Sequence, residues 1–311
     1  MRSGENRKDG MDRESATRVP DAAHGGFWDR LVMRRELWWG QPFRWGHAHS
    51  YRDALHRTCE RFAVRSRTDP DTAWRCCPHW PRTLLNKWNS REFAQKHGCR
   101  VPALYWHGRQ IAKIPYASLP PQYVIRPVWG AVTSGVHAVV DGQELLGKLP
   151  GTAADIRRRL FREHGPVAAT PLLVEAFVPS EGADCRLPIE YKCHTFGRTV
   201  AAVQVLERTG RLTGIHRYYT ARWEPFPDVM DAHYPLAPPR APPRCLDEML
   251  GVATQLGQAI GTYMRIDFFD GVAGAVFNEF SSTPQVQRPV YTRYCDEMFG
   301  ALWQQRFPDA V

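Results

Sequence analysis

Tyr263-Met264-Arg265-Ile266-Asp267-Phe268-Phe269-Asp270-Gly271-Val272-Ala273-Gly274-Ala275-Val276-Phe277-Asn278-Glu279-Phe280-Ser281-Ser282-Thr283-Pro284 decides how the chain is read. Two runs rich in β-branched and aromatic residues flank Asp270-Gly271, a turn signal, so the stretch predicts two antiparallel strands joined there. Each strand carries one carboxylate among apolar neighbours: Asp267 between Ile266 and Phe268, and Glu279 near the end of the return strand. Carboxylates in apolar surroundings are costly unless something compensates them. A divalent cation compensates, and Mg²⁺ takes a couple of carboxylates together with phosphate oxygens. Arg265, two residues before Asp267, shares its strand face and adds a fixed positive charge. An amphipathic hairpin with an ordinary surface ion pair has the same pattern, so the rest of the chain has to decide.

The chain has 311 residues, enough for one large domain or two smaller ones around a substantial core. Its hydrophobic fraction of 43% suits a soluble globular protein. No apolar run approaches the ~20 residues of a membrane span, and the start lacks the apolar core of a signal peptide, so a cytoplasmic location is expected. The cysteines form no C-x-x-C pair, and no second ligand pair follows Cys76-Cys77-Pro78-His79. Reduced thiols are therefore expected rather than a zinc framework. A net charge of +9 favours anionic partners such as nucleotides, nucleic acid or acidic polymers.

Residues 1–25 are polar and charged with almost no apolar residue, which predicts a disordered tail. Residues 26–82 predict a helical extension: an amphipathic segment from Phe27 to Trp39, then a helix capped by Ser50 with Leu55, Cys59, Phe62 and Ala63 on one face. Leu84–Gly98 predicts a helix ending on a glycine, with Lys87 near its start, followed by a short strand at Val101–Trp106. Tyr123–Pro127 and Val136–Val140 predict strands around the small-residue loop that holds Ser134 and Gly135. A basic residue at a strand end facing such a loop, here Arg126, suits a phosphate clamp, because backbone N–H groups approach where no side chain blocks them.

Thr152–His164 predicts an Arg-rich helix, and Pro171–Val178 an apolar strand containing Glu175. Glu190–Arg208 predicts a long hairpin turning at Gly197, with Glu190 and Lys192 on one face. A third strand follows around Ile215–Tyr219, then a Pro-rich irregular stretch over 223–244. Helices over Cys245–Gly261 and Tyr291–Trp303 complete the reading.

In this order, the run from Leu84 to Pro284 resembles the ATP-grasp superfamily. Leu119–Val124, Glu190-Tyr191-Lys192-Cys193-His194-Thr195-Phe196-Gly197 and the Arg265-Ile266-Asp267 strand with Asn278-Glu279-Phe280-Ser281-Ser282-Thr283-Pro284 are most similar to its TupA-like branch, linked to teichuronopeptide and polysaccharide biosynthesis. The resemblance implies an α+β fold of two subdomains clasping ATP, over 83–170 and 171–311. It implies ATP and Mg²⁺ as cofactors, with Asp267, Glu279 and Ser281 as metal ligands. The family more often has Asn in the place of Ser281, Lys in the place of Arg126 and a loop richer in glycine. Lys87, Arg126, Ser134, Gly135 and Lys192 would hold phosphate. Ala176, Phe177 and Val178 would pair with the adenine edge, Glu175 would accept from its amino group, and Glu190 would lie near the sugar.

The activity implied is ligation of a carboxylate to an amine through an acyl phosphate, with Arg265 and Lys192 catalytic. The expected partners are a small-molecule or carrier-bound carboxylate and an amine acceptor. Three alternatives stay open in the sequence: a kinase acting on a hydroxyl, a catalytically degenerate nucleotide-binding protein, and a nucleic-acid binder using the basic, Trp-rich N-terminal region.

Overall fold

A computed structural model describes residues 63–76, 80–130, 133–180, 187–226, 234–282 and 293–306. The expected tail over 1–25, most of the 26–82 extension and the Thr283-Pro284 end of the hairpin motif lie outside the described residues. The described residues belong to one compact unit, Gly40–Val311.

Four α-helices of ten residues or more and two sheets form the frame of this unit among the described residues: α1 (Lys87–Lys96), α2 (Ala153–His164), α3 (Leu246–Ile260) and α4 (Arg293–Arg306). The first sheet holds β1 (Leu104–Gln110), β2 (Gln122–Pro127), β3 (His137–Val140), β4 (Gln143–Glu144), β5 (Leu149–Pro150) and β6 (Val167–Ala176), ordered β1-β6-β2-β3-β4-β5. The second holds β7 (Glu190–Phe196), β8 (Thr199–Arg208), β9 (Gly214–Tyr219), β10 (Pro225–Phe226), β11 (Tyr263–Gly271) and β12 (Gly274–Ser281), ordered β10-β9-β8-β7-β11-β12. Every strand pairing is antiparallel. The expected α+β class and two sheet-and-helix halves are therefore present. The expected boundary between residues 170 and 171 falls inside β6, which pairs with β1 and β2 and so belongs wholly to the first sheet.

Alternation along the strands sets what each sheet face meets. In the first sheet Tyr123, Ile125, Val139, Leu172 and Val174 pack against Ile156 and Leu160 of α2. The opposite face carries Arg126 and Glu175. In the second sheet Met264, Ile266 and Phe268 of β11, with Tyr191 and Cys193 of β7, bury against α3 and against Phe93 of α1. Each large apolar side chain buried this way contributes roughly 1.5–3 kcal/mol. The reverse face puts Phe196, Tyr218 and Tyr263 under Cys295 and Phe299 of α4. Arg265 and Asp267 continue that face beyond α4, and this is where the candidate site lies.

Several boundaries differ from the sequence reading. The expected helix over Leu84–Gly98 is a 3₁₀ segment (Trp80–Leu85) followed by α1, because the Asn86 side chain accepts from the Trp88 and Asn89 N–H groups and starts the α-helix there. The strand expected at Val101–Trp106 begins at Leu104, since Pro102 has no N–H to give a ladder. The hairpin turns at Val272-Ala273 rather than at Asp270-Gly271, which still lie in β11. Gly271 pairs with Gly274, whose φ of +111° only a glycine takes without strain.

Candidate functional site

The hairpin is irregular where it matters. Asp267 pairs with Glu279, but Phe268 pairs with Phe277, so Asn278 has no opposite residue and forms a β-bulge. The cause is visible in Phe277-Asn278-Glu279-Phe280: two adjacent polar residues stand between two phenylalanines that both enter the core. A regular strand would send one of the two polar residues inward. The extra residue lets both phenylalanines pack while Glu279 stays opposite Asp267.

Asp267 is fully buried, and both its oxygens accept from cationic side chains. Its Oδ1 accepts from Arg265 Nε at 2.8 Å and its Oδ2 from Arg265 Nη2 at 2.7 Å and Lys192 Nζ at 3.0 Å. β7 supplies Lys192 in register, directly across from Asp267. Burial alone would raise the Asp267 carboxyl, but Arg265 and then Lys192 outweigh it and hold it at about 2. Lys192 also bonds Glu190, which Arg208 of β8 grips from the other side. Burial works against the Glu190 anion too, and Lys192 and Arg208 together hold its carboxyl below the usual range.

The second group converges from α1 and the first sheet. Lys87, in the first turn of α1, donates to the Gly130 carbonyl at 2.9 Å and lies 3.5 Å from Glu279 Oε2. Arg91, one turn later, donates to Glu175 Oε1 at 2.9 Å. Arg126 donates from Nε to Glu175 Oε2 at 2.6 Å and from Nη1 to Asn278 Oδ1 at 2.8 Å.

The structure therefore brings together Lys87, Arg126, Glu175, Glu190, Lys192, Arg265, Asp267 and Glu279. Ser281, at the end of β12, stands opposite Arg265. Ser134 and Gly135 occupy a turn whose Ser134 carbonyl lies near Gly130, the residue whose carbonyl accepts from Lys87. Thr133, which precedes Ser134, exchanges bonds with Arg211, Oγ1 donating to the Arg211 carbonyl at 2.9 Å and Arg211 Nη1 donating to the Thr133 carbonyl at 2.6 Å. Thr133 takes φ of +54°, a strained value for a β-branched residue.

Glu175 is not placed as a free acceptor: it is 2% exposed, and both its oxygens serve buried guanidinium groups. Ala176 N–H is likewise given to the Ala103 carbonyl, at 2.8 Å. Phe177 packs with Leu187 and Val140, and Val178 lies against Gly271. Sequence reasoning missed Arg91, Arg208 and Asn278. Arg91 follows Lys87 by four residues, a helical spacing that offered a signal. Asn278 was visible as the break in alternation. Nothing local to Arg208 pointed to Glu190.

The residues present fit a magnesium–polyphosphate group better than a bare metal ion. Two hard carboxylate donors, Asp267 and Glu279, face each other across paired strands, as Mg²⁺ requires. Yet Arg265, Lys192 and Lys87 already oppose these two charges. A lone cation would meet net positive charge, whereas anionic phosphates would accept those same donors. Among the described residues, no three His, Cys, Asp or Glu side chains converge as a ready metal site. Cys193 is fully buried, and burial followed by the Asp267 charge pushes its thiol up, so it packs rather than reacts.

His194, opposite Arg265 on β7, is enclosed by Tyr218, Tyr263 and Phe299 and shares a hydrogen bond of 2.9 Å with the Tyr263 hydroxyl. Burial, reinforced by Arg265, lowers its pKa to about 3. Between that value and its unfolded value near 6.5 the unfolded chain binds a proton that the folded chain refuses, so stability falls as pH drops. Going from pH 7.5 to pH 5 is expected to cost about 2 kcal/mol through this histidine. Urea denaturation of wild type and His194→Gln at both pH values checks this, and an equal pH dependence in the two proteins would refute it. Asp267 and Glu190 act in a lower window. Their lowered carboxyls stabilise the fold above about pH 4, and that contribution fades as pH falls further, toward about 2 for Asp267.

No protein-family model matches the chain, and no curated protein does. Among solved structures, it is similar to the D-alanine–D-alanine ligase from Bacillus anthracis complexed with ATP, at 11% identity over 73% of this chain and 64% of that one, with a TM-score of 0.46. It is similar to the D-cycloserine synthetase DcsG, at 14% identity over 74% of this chain and 72% of that one, TM-score 0.45. It is also similar to the ATP-grasp ligase PsnB complexed with a phosphomimetic variant of its minimal precursor, Mg and ADP, at 13% identity over 72% of this chain and 58% of that one, TM-score 0.42. The chain thus spans a little under two thirds of the length of the first of these structures. Among the described residues, no helix is long and apolar enough to cross a membrane.

Proposed function

We propose that the chain is an ATP-dependent carboxylate–amine ligase of the ATP-grasp type, acting in specialised-metabolite or cell-surface polymer biosynthesis. The observation that carries this reading is the opposition of Asp267 and Glu279 in a hairpin whose cleft face also carries its own Arg265 and receives Lys192 from β7 and Lys87 from α1. The finer placement in the TupA-like branch rests on the sequence pattern around Leu119–Val124, Glu190–Gly197 and the hairpin.

The chemistry is the attack of a substrate carboxylate oxygen on the γ-phosphorus of ATP. ADP leaves, and an amine then attacks the acyl carbon and expels phosphate, losing its proton to solvent. The protein's task is charge neutralisation and alignment. Bound Mg²⁺, held by Asp267 and Glu279 with Ser281 beside them, would neutralise the β- and γ-oxygens. Lys87 and Lys192 exchange carboxylate partners for phosphate oxygens. Arg265, fixed by two bonds to Asp267, presents its charge where the transferred phosphoryl group or the tetrahedral oxyanion develops. Arg126 lines the same cleft. The chain below Ser134 and Gly135 gives the phosphates backbone N–H groups, and the segment from Ala176 to Val178 borders the base.

Thermal unfolding tests this directly. Mg²⁺ alone is expected to leave the midpoint unchanged, because its ligands already face cations. Mg²⁺ with ATP at about 100 times its Kd should add about 2.7 kcal/mol. Carboxylate and amine pairs are then screened for coupled release of ADP and phosphate. Phosphate retained on a hydroxyl substrate would make the protein a kinase, and no response to Mg²⁺ with ATP would remove the nucleotide site altogether.

A further inference from the structure

Six residues beside Asp267 form a closed circuit of four side-chain contacts and two links along the backbone. Lys87 reaches Glu279 at 3.5 Å, and Asn278 precedes Glu279 in the bulge. Asn278 Oδ1 accepts from Arg126 Nη1 at 2.8 Å, and Arg126 Nε donates to Glu175 at 2.6 Å. Arg91 donates to the other Glu175 oxygen at 2.9 Å, and Arg91 lies one helical turn from Lys87 on α1. The ring thus joins α1, β2, β6 and β12. Lys87, Arg91, Arg126 and Glu175 are all buried, so few alternative partners compete.

The commitments of Arg126 matter most. Nε is spent on Glu175, Nη1 on the Asn278 side chain, and Nη1 and Nη2 both approach the Asn278 carbonyl, at 3.5 and 3.4 Å. A lysine at this place would offer one charged nitrogen to a phosphate. The arginine instead spans two protein acceptors in different sheets, a fork geometry that lysine cannot reproduce.

We propose that Asn278 is a positioning residue: by holding Arg126 from within the bulge, it fixes the orientation of the adjoining Glu279 carboxylate toward the magnesium–polyphosphate group. This role rests on the ligase reading above. It assigns Arg126 a bridging task between sheets rather than a phosphate contact of its own. Without the Asn278 acceptor, the bulge is left with the longer contacts from across the cleft, Lys87 to Glu279 at 3.5 Å and Arg126 to the Asn278 carbonyl at 3.4 and 3.5 Å, and Glu279 loses its fixed approach while keeping its charge.

The test compares Asn278→Leu, Asn278→Asp and Arg126→Lys with wild type. A fluorescent ADP analogue reports the Mg²⁺ concentration that gives half-maximal nucleotide binding. Asn278→Leu and Arg126→Lys are expected to raise that concentration at least about tenfold; Asn278→Leu leaves metal-free ADP binding within about twofold, and Asn278→Asp, which keeps the acceptor, holds the Mg²⁺ concentration within about threefold of wild type. A lowered unfolding midpoint with unchanged Mg²⁺ dependence would make the bulge contact purely structural and overturn the proposal. So would Arg126→Lys binding Mg²⁺ and ADP as well as wild type does. Urea unfolding of Arg126→Met, Asn278→Leu and the double variant tests the contact without nucleotide: midpoint shifts that simply add would also overturn it. If wild type binds no nucleotide while the midpoints are non-additive, the ligase reading and the proposed role fail but the contact stands.

Discussion

Asp267→Asn is expected to lower kcat by at least about 10³-fold and to abolish the stabilisation by Mg²⁺ with ATP. The same change should destabilise the free protein. Among the described residues, Asp267 is the carboxylate that ion-pairs with Arg265, and it shares Lys192 with Glu190. The amide oxygen can replace one accepted bond, but the amide N–H groups would point at a guanidinium or an ammonium. Breaking a buried ion pair from one side costs about 3–5 kcal/mol, since the remaining charge stays buried without compensation. For a domain of this size that corresponds to roughly 10 °C in Tm. Calorimetry with and without nucleotide, alongside turnover, measures both effects. A variant that retained wild-type turnover would show that the Asp267 carboxylate neither holds metal nor fixes Arg265 for catalysis.

Glu175→Gln should have the largest effect on stability of any single-atom change in the first sheet. Both Glu175 oxygens are engaged, by Arg91 and Arg126, and the residue is 2% exposed. The substitution leaves two buried guanidinium groups around one neutral amide, with an expected loss of about 3–5 kcal/mol. The sequence-based expectation, an acceptor for the adenine amino group, predicts something different: weaker nucleotide binding with little change in unfolding. Comparing the urea midpoint with ADP affinity in this one variant separates the two roles. A stability close to wild type, with a loss confined to nucleotide binding, would return Glu175 to the base.

The hairpin was legible because its signals are local. Alternation, aromatic and β-branched residues around each carboxylate, and glycines at the turn lie within twenty-two residues. The paired strands Glu190–Phe196 and Thr199–Arg208, turning at Gly197, were legible for the same reason. The Arg-rich helix expected over Thr152–His164 was equally plain; in the structure the Thr152 side chain caps α2 by accepting from the Asp155 N–H. What the sequence hid were partnerships between distant segments. Glu175 reads as a strand carboxylate near a linker, and nothing beside it names Arg91 or Arg126. Arg208 at the end of β8 reads as a surface charge until β7 places Glu190 across from Leu206, within its reach. Even the turn of the hairpin moved by two residues, because an Asp-Gly pair and a Gly at the far side both satisfy turn chemistry and only the register chooses between them.

The ring through Asn278 also dictates when the site can come into being. Its bonds join residues 84, 49 and 152 positions apart, so none can form by local folding of a single helix or hairpin. Loops of this length are closed late, after nearer contacts have restrained the chain. During synthesis, a nascent chain emerged only through β6 already holds Arg91, Arg126 and Glu175, and these three can settle on one another. Lys87 and the free side of Arg126 then wait for the hairpin, near the end of the described residues, before the cleft is complete. Assembly of the candidate site is thereby reserved for a chain that has been translated past β12, and a product truncated before β12 would carry the first sheet without the residues that complete the cleft.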